Sequence, residues 1–307
     1  MTETLKLEEI SQQKAPASGE KFLSRIMVAT DFSAVADRAL DFAVSLARRF
    51  GARIYLAHVV NFQGRETIEP NLGGFAYPKP WELAEQNAKA IVDSGRLAGL
   101  TYEVILEEGN LWPELESLIE KNHIDLLVVG TQGLSGARKT VFGSAAEQIF
   151  RQAQIPVLTV GPAVIQEPQF EAEFRSVLFA TDFGTAAERE AAFAFAIAQE
   201  HRAKLMLLNV TPFRVGVSES DALAERSLLT RQLQELVPQK AELHCKPEIH
   251  VAYGAPVEEI LRVARETKAD LIVIGAKKAG SFSGHLPATT AYGVVRGAGC
   301  PVLTIRS

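Results

Sequence analysis

Residues 130–144 read GTQGLSGARKTVFGS and follow directly on the apolar run IDLLVVG. Gly130, Gly133 and the pair Gly143-Ser144 surround a basic cluster that includes Arg138 and Lys139, a composition suited to cradling an anion. Gly130 would let the chain leave a strand close to a ligand, and Gly133 would permit a tight turn. Gly143 and Ser144, at the mouth of a helix, would present free N–H groups and a hydroxyl to negative charge. Each helix-end contact contributes only ~0.3–1 kcal/mol at an exposed site. Several would have to act together with burial of a base to reach the roughly −8 kcal/mol of a micromolar complex.

Spacing excludes two familiar phosphate loops. A P-loop requires Gly-Lys-Ser/Thr four residues after its first glycine, whereas Ala137 and Arg138 separate Gly136 from Lys139. A dinucleotide fingerprint belongs to the first β-α unit, and these glycines come much later in the chain. What remains is Gly-x2-Gly-x9-Gly-Ser.

The elements that must position this loop emerge from an internal repeat. RIMVATDFSAVADRALDFAVSLARRFGARIYLAHVV from Arg25 aligns without a gap on SVLFATDFGTAAEREAAFAFAIAQEHRAKLMLLNVT from Ser176. GNLWPELESLIEKNHIDLLVVG from Gly109 matches GAPVEEILRVARETKADLIVIG from Gly254, and RQAQIPVLTV from Arg151 matches RGAGCPVLTI from Arg296. A repeat of this size is a domain rather than a solenoid unit. The chain is therefore expected to hold a polar leader at 1–20, a first domain at 21–160, a linker at 161–174 and a second domain at 175–307. Within each copy, short apolar runs alternate with helical periodicity. RIMVAT, ARIYLAHVV, YEVILEEG, IDLLVVG and PVLTV read as strands; a first helix is expected from the 3.6 period of Ala36, Leu40, Ala43, Val44 and Ala47, and others near 81–99, 113–123 and 144–153. Ser33 or Asp37 would start the first of them. Repeated β-α units call for a doubly wound parallel sheet covered by helices on both faces. Ligands then sit beyond the carboxyl ends of the strands where the order reverses, which selects the loops after the first and fourth strands.

Composition sets the outer limits. The 307 residues are 47% hydrophobic and 22% charged, with a net charge of −5, ordinary values for a globular protein. That balance argues against a general nucleic-acid or membrane surface. The opening stretch MTETLKLEEISQQKAPASGE has no apolar run of the kind a secretory signal needs, and a cytoplasmic location is expected. Cys245 and Cys300, the only 2 cysteines, suggest neither a disulfide framework nor a zinc site.

Gly-x2-Gly-x9-Gly-Ser after the fourth strand, Ala29-Thr30-Asp31 ending the first, HVV ending the second, and the duplicated ATDF and PVLT segments together resemble the universal stress protein family in its tandem form. The resemblance covers both copies. It implies, for each, a five-stranded parallel sheet of order 3-2-1-4-5 in an adenine nucleotide alpha hydrolase-like, Rossmann-like fold. It also implies ATP, with or without Mg2+, and domain pairing through the last strand. By position, Asp31 would accept hydrogen bonds from the ribose, while Ala29, Thr30 and Val59 line the adenine side. Val129, Gly130, Gln132 and Gly133 would wrap ribose and phosphates. Gly143, Ser144, Ala145 and Ala146 would hold the phosphates, with Arg138 and Lys139 screening them.

The second copy departs from this pattern. Lys278 stands opposite Gly133, and Ala288-Thr289 opposite Gly143-Ser144, so a Cβ enters where backbone had to approach the ligand. Pro287 stiffens the helix entrance, while Asp182 and Gly275 persist. Elsewhere, His244, Cys245 and His250 make a weak metal hypothesis. His58 reads as a packed or capping residue, and the 61–80 loop with Phe75, Tyr77 and Trp81 as a lid or a surface loop. No catalytic constellation is visible. The favoured function is an ATP-binding regulatory stress-response module with nucleotide in the first domain, not an enzyme beyond weak ATP hydrolysis. The alternatives are a nucleotide-independent protein-interaction protein and a slow ATPase. The expected partners are the intrachain domain pair, a possible homodimer and an unidentified protein.

Overall fold

The computed structural model of the chain describes residues 22–61, 80–131, 143–164, 172–214, 216, 218–238, 246–276 and 289–306. The expected leader, the interior of the 61–80 loop and most of the glycine loop lie outside the described residues, as does its counterpart in the second copy. The first half runs β1 (Arg25–Ala29), α1 (Ala34–Phe50), β2 (Arg53–Val60), α2 (Pro80–Asp93), β3 (Tyr102–Glu108), α3 (Leu111–Asn122), β4 (Leu126–Gly130), α4 (Ser144–Gln152) and β5 (Val157–Val160). The second half repeats it as β6 (Ser176–Ala180), α5 (Ala187–Glu200), β7 (Lys204–Thr211), α6 (Glu219–Glu235), β8 (Glu248–Tyr253), α7 (Pro256–Glu266), β9 (Leu271–Ala276), α8 (Thr290–Gly297) and β10 (Val302–Arg306).

All of these strands join one 10-stranded sheet ordered β3-β2-β1-β4-β5-β10-β9-β6-β7-β8. Each half has the order 3-2-1-4-5 and is parallel throughout; only β5 and β10 pair antiparallel. Strand alternation explains the two helix layers. Ile26 and Val28 bury into a layer with Phe42 and Leu46 of α1, whereas Met27 and Ala29 face Trp112, Leu115 and Ile149 of α3 and α4. Because both faces are covered, the inner strands are apolar runs rather than alternating ones.

Local chemistry sets the ends of α1. Ser33 Oγ accepts from Ala36 N at 3.2 Å, so Ser33 rather than Asp37 is the cap. Gly51 closes the helix at φ 63, where a side chain would be strained. Asp37 lies in the first turn and pairs with Arg96 at 3.0 Å. The expected second helix stops early. Beyond Asp93 the chain turns through Gly95 and Gly99, at φ 76 and 78, instead of continuing to residue 99. The third helix begins at Leu111, before the expected start at Pro113.

The segment expected as a linker has packed ends. Val164, Ala172 and Phe174 are buried, and Phe174 stacks on Phe42 with ring centroids 5.5 Å apart. Phe22 meets Phe193 of α5 edge-on at 4.6 Å, so α1 and α5 belong to one continuous apolar layer. No helix among the described residues is long and apolar enough to cross a membrane.

Candidate functional site

The shared Ala-Thr-Asp-Phe is first of all a turn. Thr30 Oγ1 accepts from Phe32 N at 2.9 Å, and Asp31 Oδ1 accepts from Ser33 N at 3.0 Å. These bonds hold Phe32 at φ 61, a conformation uncommon for a residue with a side chain. The second copy repeats the device: Thr181 accepts from Phe183, Asp182 accepts from Gly184, and Phe183 sits at φ 57. The repeat of ATDF therefore has a structural cause, independent of any ligand.

His58 supports the turn from β2. Its Nδ1 lies 2.7 Å from Thr30 O. A carbonyl only accepts, so Nδ1 carries the hydrogen in this contact. In the second half Asn209 Nδ2 donates to Thr181 O at 2.9 Å, filling the same role with an amide. His58 also packs its ring against Phe32 at 4.6 Å.

β4 ends at Gly130, against the first turn of α1. A Cβ there would lie 2.9 Å from Ala36 N and 3.0 Å from Val35 C, so backbone contact, not turn conformation, excludes a side chain. Thr131 N then donates to Val160 O, and Thr131 O accepts from Gly143 N at 2.6 Å. This last bond corrects one expectation: the Gly143 N–H is committed to the loop and is not offered to a ligand. Glu147 N donates to Gly143 O at 2.9 Å as the first bond of the α4 ladder. The N–H groups of Ser144, Ala145 and Ala146 stand outside that ladder at the positive end of the helix.

These elements enclose a cavity of about 450 Å³ between the carboxyl ends of β1 and β4. Of the expected site residues, the cavity brings together Ala29, Thr30, Asp31, Val59, Val129, Gly130, Gly143, Ser144, Ala145 and Ala146. Gln132 and Gly133, with Arg138 and Lys139, lie outside the described residues. The lining also includes Ala36, Ala57, Asn61, Leu111, Leu115, Thr131, Gln148 and Ile149, together with His58, none of which the motif spacing marks as a site residue. Leu115 and Ile149 are legible only as core periodicity, and nothing in the sequence places them at this cavity. The Thr131 hydroxyl is buried and makes no hydrogen bond among the described residues.

The corresponding end of the second half is built differently. Thr289 Oγ1 accepts from Tyr292 N at 3.3 Å, so the hydroxyl aligned with Ser144 caps its own helix. The Glu190 carboxylate, on a side chain only 4% exposed, occupies the space a Cβ on Gly275 would need. Ala39 holds the matching position in α1. Lys277, Lys278, Pro287 and Ala288 fall outside the described residues. A hollow of about 390 Å³ lies between β8 and α7, but its Arg262 is already held by Glu259 and Glu266 at 2.7 and 2.6 Å. Of the metal hypothesis, only His250 is described, on β8 with Glu248 3.9 Å away, and no group of three or more ligating side chains forms among the described residues. Trp81 opens α2 and donates to Glu85 at 2.9 Å.

Comparison with known proteins gives a consistent picture. Universal stress protein Slr1230 of Synechocystis sp. is 26% identical over 307 residues, covering 92% of this chain and 100% of its own length. Universal stress protein MJ0531 of Methanocaldococcus jannaschii is 30% identical over 151 residues, 47% of this chain and 85% of its own. The crystal structure of a universal stress protein from Archaeoglobus fulgidus superposes with a TM-score of 0.66 at 19% identity, covering 92% of this chain and 98% of that one, a likeness of fold. The sequence profile of the Universal stress protein family matches twice, over residues 23–161 and 173–306. With both halves matched in sequence and folded alike, the chain belongs to the universal stress protein family, as a tandem member.

Proposed function

We propose that the chain is a regulatory module that binds one adenine nucleotide, ATP, in its first half. The observation that carries this reading is the combination held in one cavity: an apolar wall, a carboxylate and an uncapped helix N-terminus. Ala29, Ala57, Val59 and Val129 supply surface for a base. Asp31 lies where ribose hydroxyls would donate to it, and the N–H groups of Ser144, Ala145 and Ala146 face the phosphates. Gly143 contributes by shaping the turn. Any Mg2+ would be carried by the phosphates. The two domains, 21–160 and 175–307, then differ in duty, with Glu190 and the self-capped α8 setting the second apart from nucleotide binding. Hydrolysis is at most slow in this reading, because His58 Nδ1 and Asp31 Oδ1 are both engaged in holding the turn.

Two measurements test the proposal. Mass spectrometry of ligand released from denatured, freshly purified protein should find an adenine nucleotide. Calorimetry on stripped protein should find one ATP per chain, and either no site or two equivalent sites would overturn the assignment. Phosphate release followed over hours separates storage from turnover.

A second reading, protein contact without nucleotide, draws on Phe213 and Leu223, which are 79% and 67% exposed beside and on α6. A pull-down with and without ATP distinguishes the two.

A further inference from the structure

Helix α4 serves two neighbours. Its first turn, Ser144 to Ala146, borders the candidate site, and its later turn carries Phe150, on which two side chains of the second half converge. Tyr292 of α8 meets the Phe150 ring at 5.9 Å and 54°, and the Arg306 guanidinium of β10 lies 5.8 Å from the ring centroid. Arg306 is only 7% exposed, and its guanidinium makes no hydrogen bond or ion pair among the described residues. Burial shifts its pKa downward. A largely buried cation without a protein acceptor is unfavourable, and the face of an aromatic ring is the compensation this geometry offers.

Pseudo-symmetry isolates the contact. The halves meet symmetrically along β5 and β10, but Phe150 aligns with Val295, Arg306 with Gly161, and Tyr292 with Glu147. None of the three side chains has a like counterpart, so the Arg306–Phe150–Tyr292 cluster is not repeated by the pseudo-symmetry. The join between the halves does not demand this arrangement. Its one-sided direction is toward the helix that presents Ser144.

We infer that Arg306 is a positioning residue for the nucleotide site, acting from the second half through the Phe150 ring to fix α4. This rests on the reading that ATP occupies the first half. It gives the second half a role that needs no ligand of its own: nucleotide occupancy and the seating of β10 and α8 on α4 are coupled, and the coupling is reciprocal.

The test uses the full chain, three single variants and one double variant. Arg306→Met keeps the stem and drops the charge, Arg306→Lys keeps the cation, and Phe150→Leu keeps apolar bulk and removes the π face. ATP affinity is read by calorimetry, and amide exchange across Ser144–Gln152 is read without nucleotide. Arg306→Met and Phe150→Leu should each weaken ATP about threefold to tenfold and speed exchange in α4, the range a buried cation–π contact allows. Arg306→Lys should stay within about twofold of wild type, and Arg306→Met/Phe150→Leu should bind no worse than either single variant. Wild-type affinity with unchanged α4 exchange in Arg306→Met or Phe150→Leu overturns the proposal, as does a Lys variant as weak as the Met one. If Arg306→Met does not fold, Phe150→Leu and Arg306→Lys still decide the matter. If the wild-type chain binds no ATP, the nucleotide reading fails, while faster α4 exchange that Lys restores would still establish the positioning contact.

Discussion

Leu158 of β5 and Leu303 of β10 lie directly opposite each other where the two halves meet. On either side of this pair, Thr159 Oγ1 donates to Val302 O at 3.0 Å and Thr304 Oγ1 donates to Val157 O at 3.2 Å. The residues correspond one to one between the repeats, so a pseudo-two-fold axis passes through the leucine pair. Unpaired apolar strand edges are an association hazard, and here each edge covers the other. A fragment of residues 1–165 should therefore self-associate or aggregate, as analytical ultracentrifugation would show. Its recovery as a stable monomer would contradict the pairing argument.

Asp31 and Asp182 offer a matched comparison, since each accepts from the N–H two residues onward. Asp31→Ala and Asp182→Ala should cost similar turn stability. Only Asp31→Ala should also weaken ATP, by roughly tenfold to a hundredfold, given about 1.5–3 kcal/mol for a hydrogen bond to a charged group. Calorimetry checks this, and equal affinity losses would mean that the carboxylate acts only through the turn.

Two glycines near the site should respond differently to alanine. At Gly130 the new Cβ would press on the backbone of α1 at 2.9 and 3.0 Å, so α1 or β4 must shift. A loss of about 1–3 kcal/mol is expected, together with weaker nucleotide binding. At Gly161 the nearest atoms are 3.7 and 3.9 Å away, an ordinary contact, and Gly161→Ala should be close to neutral. Urea denaturation of both variants is the measurement.

His201 gives the fold a pH dependence. It sits at the end of α5, 9% exposed, edge-on to Phe174 at 5.0 Å, with neither ring nitrogen hydrogen-bonded among the described residues. Burial, reinforced by the nearby Arg49 charge and opposed by Glu173, pushes its pKa down from 6.5 to about 4. The folded state thus favours the neutral ring, and the unfolded chain binds the extra proton between these values. Stability should be fully present above about pH 6.5 and fall as pH drops toward 4, by on the order of 3 kcal/mol from this group. Urea unfolding at several pH values should show that slope, and His201→Leu should remove most of it. An unchanged slope in the variant would assign the effect to other groups.

Much of this molecule was legible in one dimension because its signals are local or repeated. Apolar runs of strand length, helical periodicity and a duplicated order of elements define the β-α alternation of each half, while the strand order and the pairing through the PVLT strands are what the family resemblance implies. The glycine spacing and Ala29-Thr30-Asp31 point to one end of one sheet. Helix boundaries were less legible, because Gly95 and Gly99 end a segment whose composition still reads as helical. Tertiary structure alone decided the rest. Whether Gly143 N–H is free depends on where Thr131 O lies across a loop, and whether Ser144 or Thr289 caps its own helix depends on backbone angles. Leu115 and Ile149 join the cavity only because α3 and α4 pack on the same sheet face. Arg306 reads in sequence as a polar residue near the chain end. It becomes a buried cation on Phe150 only because β10 lies against β5, and charge, burial and distance are properties of that arrangement rather than of any residue in it.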